Sequence, residues 1–207
     1  MIITTLKYSY EMGLRMTKQN QLDKLKQECN SCQKCVLGST RNNIVFSDGS
    51  AEAKILLIGE APGADEDATG LPFVGRAGKY LTSLIEQVGL SRENDFYICN
   101  TVKCRPPENR VPTDEEKQLC EKYLLEQIKI VQPKVIVLCG ATSAKSFLGK
   151  KIKISEIRGK WFKLFDNIDA TVILHPSFLL RKHSEEDDSP RGLTRQDLTK
   201  IKEFINR

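Results

Sequence analysis

The chain has 207 residues, 40% of them apolar, and its 32 Lys and Arg against 27 Asp and Glu give a formal charge of +5. That length suits one compact domain with an adequate core, and no apolar run reaches the roughly 20 residues that cross a bilayer, so a membrane-spanning protein is excluded. The mild basic excess permits a local nucleic-acid face without demanding one, and seven cysteines, an odd number, argue against a disulfide framework and favour metal or cluster ligation where their spacing is tight.

The N-terminal MIITTLKYSYEMGLRM has neither an apolar leader core nor a small-residue cleavage site, so a cytoplasmic location is expected. Residues 1–16 are expected to form a disordered extension, and 17–207 a single domain. Residues 17–28 carry Leu22 and Leu25 at helical spacing and run into the first cysteines. KILLIGE (54–60) is an aliphatic run that suits a strand buried on both faces. The Gly- and Pro-punctuated stretch 61–75 reads as a loop, and 76–89 as a helix with Tyr80, Leu81, Leu84, Ile85 and Val88 on one side. DFYICNTV (95–102) reads as a second strand, followed by the loop RPPENRVP. Thr113 to Glu116 has the form of a capping box for a helix reaching about Val131. KVIVLC (134–139) is a third strand, Gly140 opens a short helix, and 152–166 reads as a hairpin-like excursion. TVILH (171–175) is a fourth strand, and an acid-rich stretch (182–190) precedes a last helix over 194–206.

Strands alternating with helices predict a three-layer α/β/α sandwich around a central, mostly parallel four-stranded sheet. In such folds ligands bind beyond the carboxyl ends of the strands. Three of the four predicted strands end in chemically capable groups: Glu60, Asn100 and His175. Each alone has a bland reading, such as a turn cap or a satisfied core histidine. Their recurrence at three strand ends is the main sign of a site. The first of these ends is unusual. ILLIGEAPGADED (55–67) places Glu60, Asp65, Glu66 and Asp67 where an α/β fold often cradles phosphate, so that loop must face something other than phosphate.

Cys32-x2-Cys35 and Cys104-x15-Cys120 form two pairs whose four thiolates suit zinc or an iron–sulfur cluster. Cys29-x2-Cys32 has the same spacing, so chemistry alone leaves open which two of the three N-terminal cysteines take part. The long second gap is unlike a zinc ribbon and leans toward a cluster. Cys99 and Cys139 fall within apolar strands and read as inert core residues.

Taken together, GEAPGADED (59–67), TGLPFVGRAG (69–78), NTVKCRPPENR (100–110) and HPSFLLR (175–181) resemble the family 4 uracil-DNA glycosylases, over about residues 22–206. The resemblance implies a [4Fe–4S] cluster of structural rather than redox role. It places an Arg six residues after the second cysteine and an apolar-Val-Phe run beyond it. Arg41 and Ile44-Val45-Phe46 fit that register from Cys35, which implies Cys32, Cys35, Cys104 and Cys120 as ligands and Cys29 as an extra thiol.

The activity implied is hydrolysis of the N-glycosidic bond of deoxyuridine in single- or double-stranded DNA by a monomer, after the base is flipped from the stack. On this reading the acids face a sugar that develops positive charge and a water that must be held. Glu60 is the first candidate for that role, with Asp65 and Glu66 competing. The Ala61 backbone contacts the uracil, Phe73 stacks on it, Asn100 reads its edge and His175 binds a carbonyl oxygen. Leu179 and Leu180 form an apolar wedge beside the cation Arg181. Lys103, Arg105, Arg110, Arg158 and Lys160 are candidate phosphate contacts. Two alternatives stand beside this: a glycosylase for other deaminated bases, and a non-catalytic nucleic-acid-binding module held by a metal site. Residues 105–112 contain no histidine, unlike the branch that traps abasic sites covalently.

Overall fold

The structure, a computed structural model, describes residues 16–165 and 168–207. The expected extension, Met16 apart, lies outside them. The aliphatic runs form β2 (Ile55–Gly59), β3 (Phe96–Asn100) and β4 (Val135–Cys139), every residue buried. With β6 (Ile168–Ile173) they make a parallel block. The sheet has six strands rather than the expected four. Its order is β1-β3-β2-β4-β6-β5, with β1 (Asp48–Gly49) and β5 (Trp161–Leu164) antiparallel at the two edges. The β1 strand is two residues long, too short for any apolar period. The β5 strand is half solvated and hairpins onto β6, which therefore begins at Ile168 instead of 171.

The side chains of each buried strand alternate between two cores, as the two-residue period requires. Leu56, Ile58, Tyr97, Cys99, Ile136 and Leu138 face one side. There α1 (Lys18–Asn30) packs on the long helix Asp114–Val131. Ile55, Leu57, Phe96, Ile98, Val135 and Val137 face the other, under Arg76–Gln87 and Pro190–Ile205. Within the predicted loop 61–75 the acids form a short helix, α2 (Ala64–Thr69). The remaining longer helices are α3 (Arg76–Gln87), α4 (Asp114–Val131), α5 (Ala141–Leu148) and α6 (Pro190–Ile205). The capping box is formed: Glu116 N–H donates to Thr113 Oγ1 at 3.1 Å, and Thr113 N–H donates to Glu116 Oε2 at 2.8 Å. The last helix starts at Pro190, not 194. Pro fits the first turn, where its missing N–H costs nothing, and Ser189 caps it.

Candidate active site

Because β3, β2, β4 and β6 run in one direction, their carboxyl ends lie along one edge. Asn100 closes β3, Glu60 follows β2, Gly140 follows β4 and His175 lies just beyond β6. A crevice of about 400 Å³ opens there, lined by Glu60, Ala61, Gly140, His175, Phe178 and Arg181 among others. Neither Asn100 nor Phe73 is among its lining residues. They meet at Gly59, where a methyl group would lie 2.3 Å from Asn100 Oδ1 and 2.5 Å from Phe73 Cζ. Only a residue without a side chain lets the amide and the ring approach β2 this closely. A larger groove of about 700 Å³ lies between α4 and α5. It has no such convergence, and its Lys117 and Lys150 are paired with Asp114.

Asn100 is only 2% exposed. Among the described residues no hydrogen bond engages its side-chain amide, whereas its backbone oxygen accepts from Lys103 Nζ at 2.8 Å. Nearly buried amides are normally satisfied within the protein, so this one points to a ligand. Glu60 is held by its backbone: Thr101 Oγ1 donates to its carbonyl at 2.5 Å, and its carboxylate has no partner among the described residues. Glu66 differs. Its Oε1 accepts from the amides of Val74 at 3.0 Å and Gly75 at 2.9 Å, and its Oε2 from Gly63 at 3.1 Å. It ties the two halves of the loop together, whereas no hydrogen bond among the described residues engages the carboxylate of Glu60. Asp65 is exposed on α2. Asp67, which the sequence reading left without a role, is buried and accepts from both Asn42 nitrogens and from Asn43 N–H.

Phe73 sits in the left-handed region at φ 53°, where a non-glycine residue is strained. Arg92 holds it there by donating to the carbonyls of Pro72 at 2.7 Å and Phe73 at 3.1 Å while paired with Asp48. The sequence reading missed Arg92, because nothing local distinguishes it from a surface cation. Removing it frees a strained turn and leaves two carbonyls unpaired. Arg92→Ala is expected to cost about 2 kcal/mol of stability and to weaken substrate binding more than turnover. Thermal melting and a comparison of KM with kcat check this; an unchanged KM would separate Arg92 from Phe73.

The His175 ring lies 6.1 Å from that of Phe73, centroid to centroid. Its Nδ1 accepts from the Ser177 backbone N–H at 3.2 Å and lies 2.8 Å from Ser177 Oγ. An Nδ1 that accepts from an amide carries no proton, so the hydrogen-bond pattern assigns the proton of the neutral ring to Nε2. Burial, aided by the Arg181 charge and opposed by Glu66, pulls the His175 pKa from 6.5 down to about 4. The ring is therefore a neutral donor at neutral pH.

On the opposite face, Cys29, Cys32, Cys35, Cys104 and Cys120 line one small cavity together with Arg41, Lys103 and Tyr123. Burial pushes the Cys104 thiol up to about 11, against the Arg41 guanidinium that donates to its Sγ at 3.3 Å. Burial likewise pushes Cys29 up to about 12, and raises Cys120, in each case against Lys103. Such thiols stay protonated unless a metal centre takes the proton's place. No group of three or more His, Cys, Asp and Glu side chains among the described residues is placed to hold a metal ion; the thiols surround a space rather than a point. Arg41 also donates to the carbonyls of Cys32 at 2.8 Å and Asn30 at 2.9 Å, so it braces the cysteine loop.

Residues 46–199 match the Uracil DNA glycosylase superfamily. The chain is 42% identical to a Type-4 uracil-DNA glycosylase of Thermotoga maritima over 192 residues, covering 92% of this chain and 98% of that protein. It is 42% identical to the Type-4 enzyme of Archaeoglobus fulgidus over 166 residues (77% and 83% of the two chains). Against that of Saccharolobus solfataricus it is 41% identical over 198 residues (90% and 88%). The chain belongs to the type-4 uracil-DNA glycosylases. Among the described residues no helix is long and apolar enough to cross a membrane.

In this superfamily member several expected DNA contacts are engaged elsewhere. Leu179 is 0% exposed in the core beneath α3 and α6, so it cannot wedge between bases without unfolding its turn. Leu180 is half-buried and Arg181 exposed, beside Phe178, whose ring lies 6.0 Å from the Arg181 guanidinium and 5.3 Å from Lys182 Nζ. Phe178, unremarked in the sequence, is thus the aromatic at the crevice mouth. Arg158 is bound to Asp197 and to the Leu193 carbonyl, and Arg110 to Glu116. Lys103 is fully buried. Arg105 donates to Asn109 Oδ1 at 2.8 Å, and Lys160 is exposed. The first two cations brace structure, and Lys103 cannot reach a phosphate.

Proposed function

We propose that this chain excises uracil from DNA by hydrolysis of the N-glycosidic bond, leaving an abasic site. The observation that carries the reading is the convergence, at parallel strand ends, of an Asn100 amide and a Glu60 carboxylate that have no partner among the described residues, with a neutral His175. A flipped uracil in the crevice would lie against Phe73. The Asn100 amide, which both donates and accepts, would pair with its polar edge. As the bond from the sugar C1′ to the base nitrogen breaks, its electron pair leaves with uracil. His175 Nε2–H donates to the carbonyl oxygen that gains charge. The sugar becomes oxocarbenium-like, and Glu60 stabilises it and orients the water that adds to C1′. Glu66 holds the loop that presents Glu60, and Asp65 lies outside the crevice lining, so Glu60 is the water-holding acid.

The cysteine cavity suits a [4Fe–4S] cluster held by Cys32, Cys35, Cys104 and Cys120. A thiolate-bound cluster is net negative, and this cavity already presents Lys103, without a carboxylate partner, and Arg41 on a thiol sulfur. Such a cluster, when bound, ties the N-terminal loop to β3 and α4 and supplies structure, not a step of the reaction. Cys29 is the extra thiol.

The test is cleavage of a labelled single-stranded oligonucleotide carrying one uracil, then alkali, with thymine and cytosine controls and with hypoxanthine and xanthine for range. A uracil-dependent break supports the assignment. Bound but uncut DNA would favour a non-catalytic module.

The pH dependence follows from His175. Its folded pKa is lowered, so its contribution to stability is complete above 6.5 and is lost as pH falls from 6.5 toward about 4. The single-turnover rate is therefore expected to show no acid limb near the ordinary histidine value, while melting temperature declines across that window. An inflection near 6.5 that disappears in His175→Gln would mean the charged ring is the working form.

A further inference from the structure

Among the described residues, Arg158–Asp197 is a buried ion pair, Arg92–Asp48 a half-buried one, and Arg110–Glu116 joins an exposed guanidinium to a buried carboxylate. Lys103 belongs to none of them, although its side chain is 0% exposed. Buried ammonium groups without a countercharge are costly. Among the described residues, the groups beside it that can carry negative charge are thiols: it forms part of the wall of the cysteine cavity, where it lies against Cys29 and Cys120, with Cys99 beside it. Its Nζ donates to the backbone carbonyl of Asn100, at the end of β3, at 2.8 Å. That bond closes a turn over residues 100–103 that holds both working ends. Thr101 N–H donates to the Gly59 carbonyl at 3.1 Å, and Thr101 Oγ1 to that of Glu60 at 2.5 Å. One side chain thus spans the space between cysteine cavity and base-reading turn.

We propose that Lys103 is a positioning residue that couples the two: negative charge in the cysteine cavity holds its ammonium in place, and the ammonium in turn fixes the turn that orients Asn100 and Glu60. This rests on the uracil-excision reading above and goes beyond a cluster that merely staples the chain. With the cavity uncharged, the ammonium has no reason to stay buried. Its departure leaves the Asn100 carbonyl unpaired and the turn loose.

The test uses the full chain with its iron, the same chain stripped by a chelator, and the variants Lys103→Met and Lys103→Gln. Iron content, hydrogen exchange of peptides covering 96–104, and kcat and KM on the uracil oligonucleotide are measured. Stripping the wild type is expected to raise exchange in 96–104 by about tenfold. Lys103→Met should show that raised exchange with iron bound, and a kcat lower by about tenfold with KM within about threefold. Lys103→Gln keeps a neutral donor for the Asn100 carbonyl, so its kcat should lie nearer wild type while it loses iron to chelator faster. Unchanged exchange on stripping the wild type would overturn the coupling, as would an iron-loaded methionine variant that exchanges and turns over like wild type. Because Cys104 lies in the same peptides, raised exchange in the stripped wild type supports the coupling only when the Lys103→Met variant shows it too. A stripped methionine variant whose exchange exceeds that of the stripped wild type by as much as its iron-loaded form exceeds that of the iron-loaded wild type would leave stapling alone and overturn the proposal. A wild type that excises no uracil would sink the enzymatic reading alone, because exchange reports the coupling without catalysis.

Discussion

Asn100→Ala is expected to lower kcat/KM for uracil excision by about 10²–10³-fold while DNA affinity changes by less than about threefold. The asymmetry follows from where the amide sits. It is almost wholly buried behind the crevice, at the end of a central strand, and takes no part in any surface a duplex or single strand would touch first. Phosphate contacts set most of the affinity for DNA, and those lie with exposed cations such as Arg181. The amide acts only once a base has entered. Its loss removes the pairing that holds uracil in register and leaves polar groups of the base without partners in a dry site, at roughly 1–3 kcal/mol for each. Gel-shift affinity and single-turnover excision on one oligonucleotide separate the two terms. Equal losses in both would mean Asn100 braces the fold instead, and the Gly59 contact gives a control. Gly59→Ala should damage excision in the same selective way, because its methyl would displace the Asn100 oxygen and the Phe73 ring together.

The central sheet and the strand-end triad were legible because both leave strong local marks. Ile55–Gly59 and Val135–Cys139 are unbroken apolar runs, and Glu60, Asn100 and His175 stand out at the ends of β2, β3 and β6. Edge strands leave no such mark: β1 is two residues long, and β5 alternates with solvent beside a hairpin that only pairing with β6 defines. Polar residues whose role is tertiary were read least well. Arg110, Arg158 and Lys103 look alike in sequence, yet one is clasped by a capping glutamate, one by a buried aspartate on the last helix, and one sits inside the protein. Lysines are almost never fully buried, so composition argued against the arrangement that matters most here. Leu179 and Leu180 form a similar case. Adjacent leucines on a short turn point in different directions, and only the packing of α3 and α6 decides that the first belongs to the core. The acids of 60–67 look equivalent in the chain but divide by partner. Glu66 takes three backbone amides and Asp67 takes the asparagines at 42 and 43, while Glu60 remains open to the crevice.

Cys104→Ala is expected to abolish bound iron and to lower the melting temperature by about 6–20 °C, while Cys29→Ala keeps both iron and stability close to wild type. The size follows from charge. Without a cluster, Lys103 and Arg41 border a cavity whose lining holds no carboxylate, and an uncompensated buried charge costs about 3–5 kcal/mol; for a chain of this length each kcal/mol moves the midpoint by about 2–4 °C. The direction follows from geometry. Cys104 follows Lys103 at the end of the strand-three turn and receives the Arg41 guanidinium, which also holds the Cys32 carbonyl, so its sulfur is tied to both cysteine-bearing segments. Cys29 is buried on α1, and no bond among the described residues ties its sulfur to the strand-three turn. Iron per chain and calorimetric melting of the two variants, side by side, decide the ligand set. Iron retained in Cys104→Ala and lost in Cys29→Ala would move the ligand role to Cys29, and would place the centre nearer α1 than the strand-three turn.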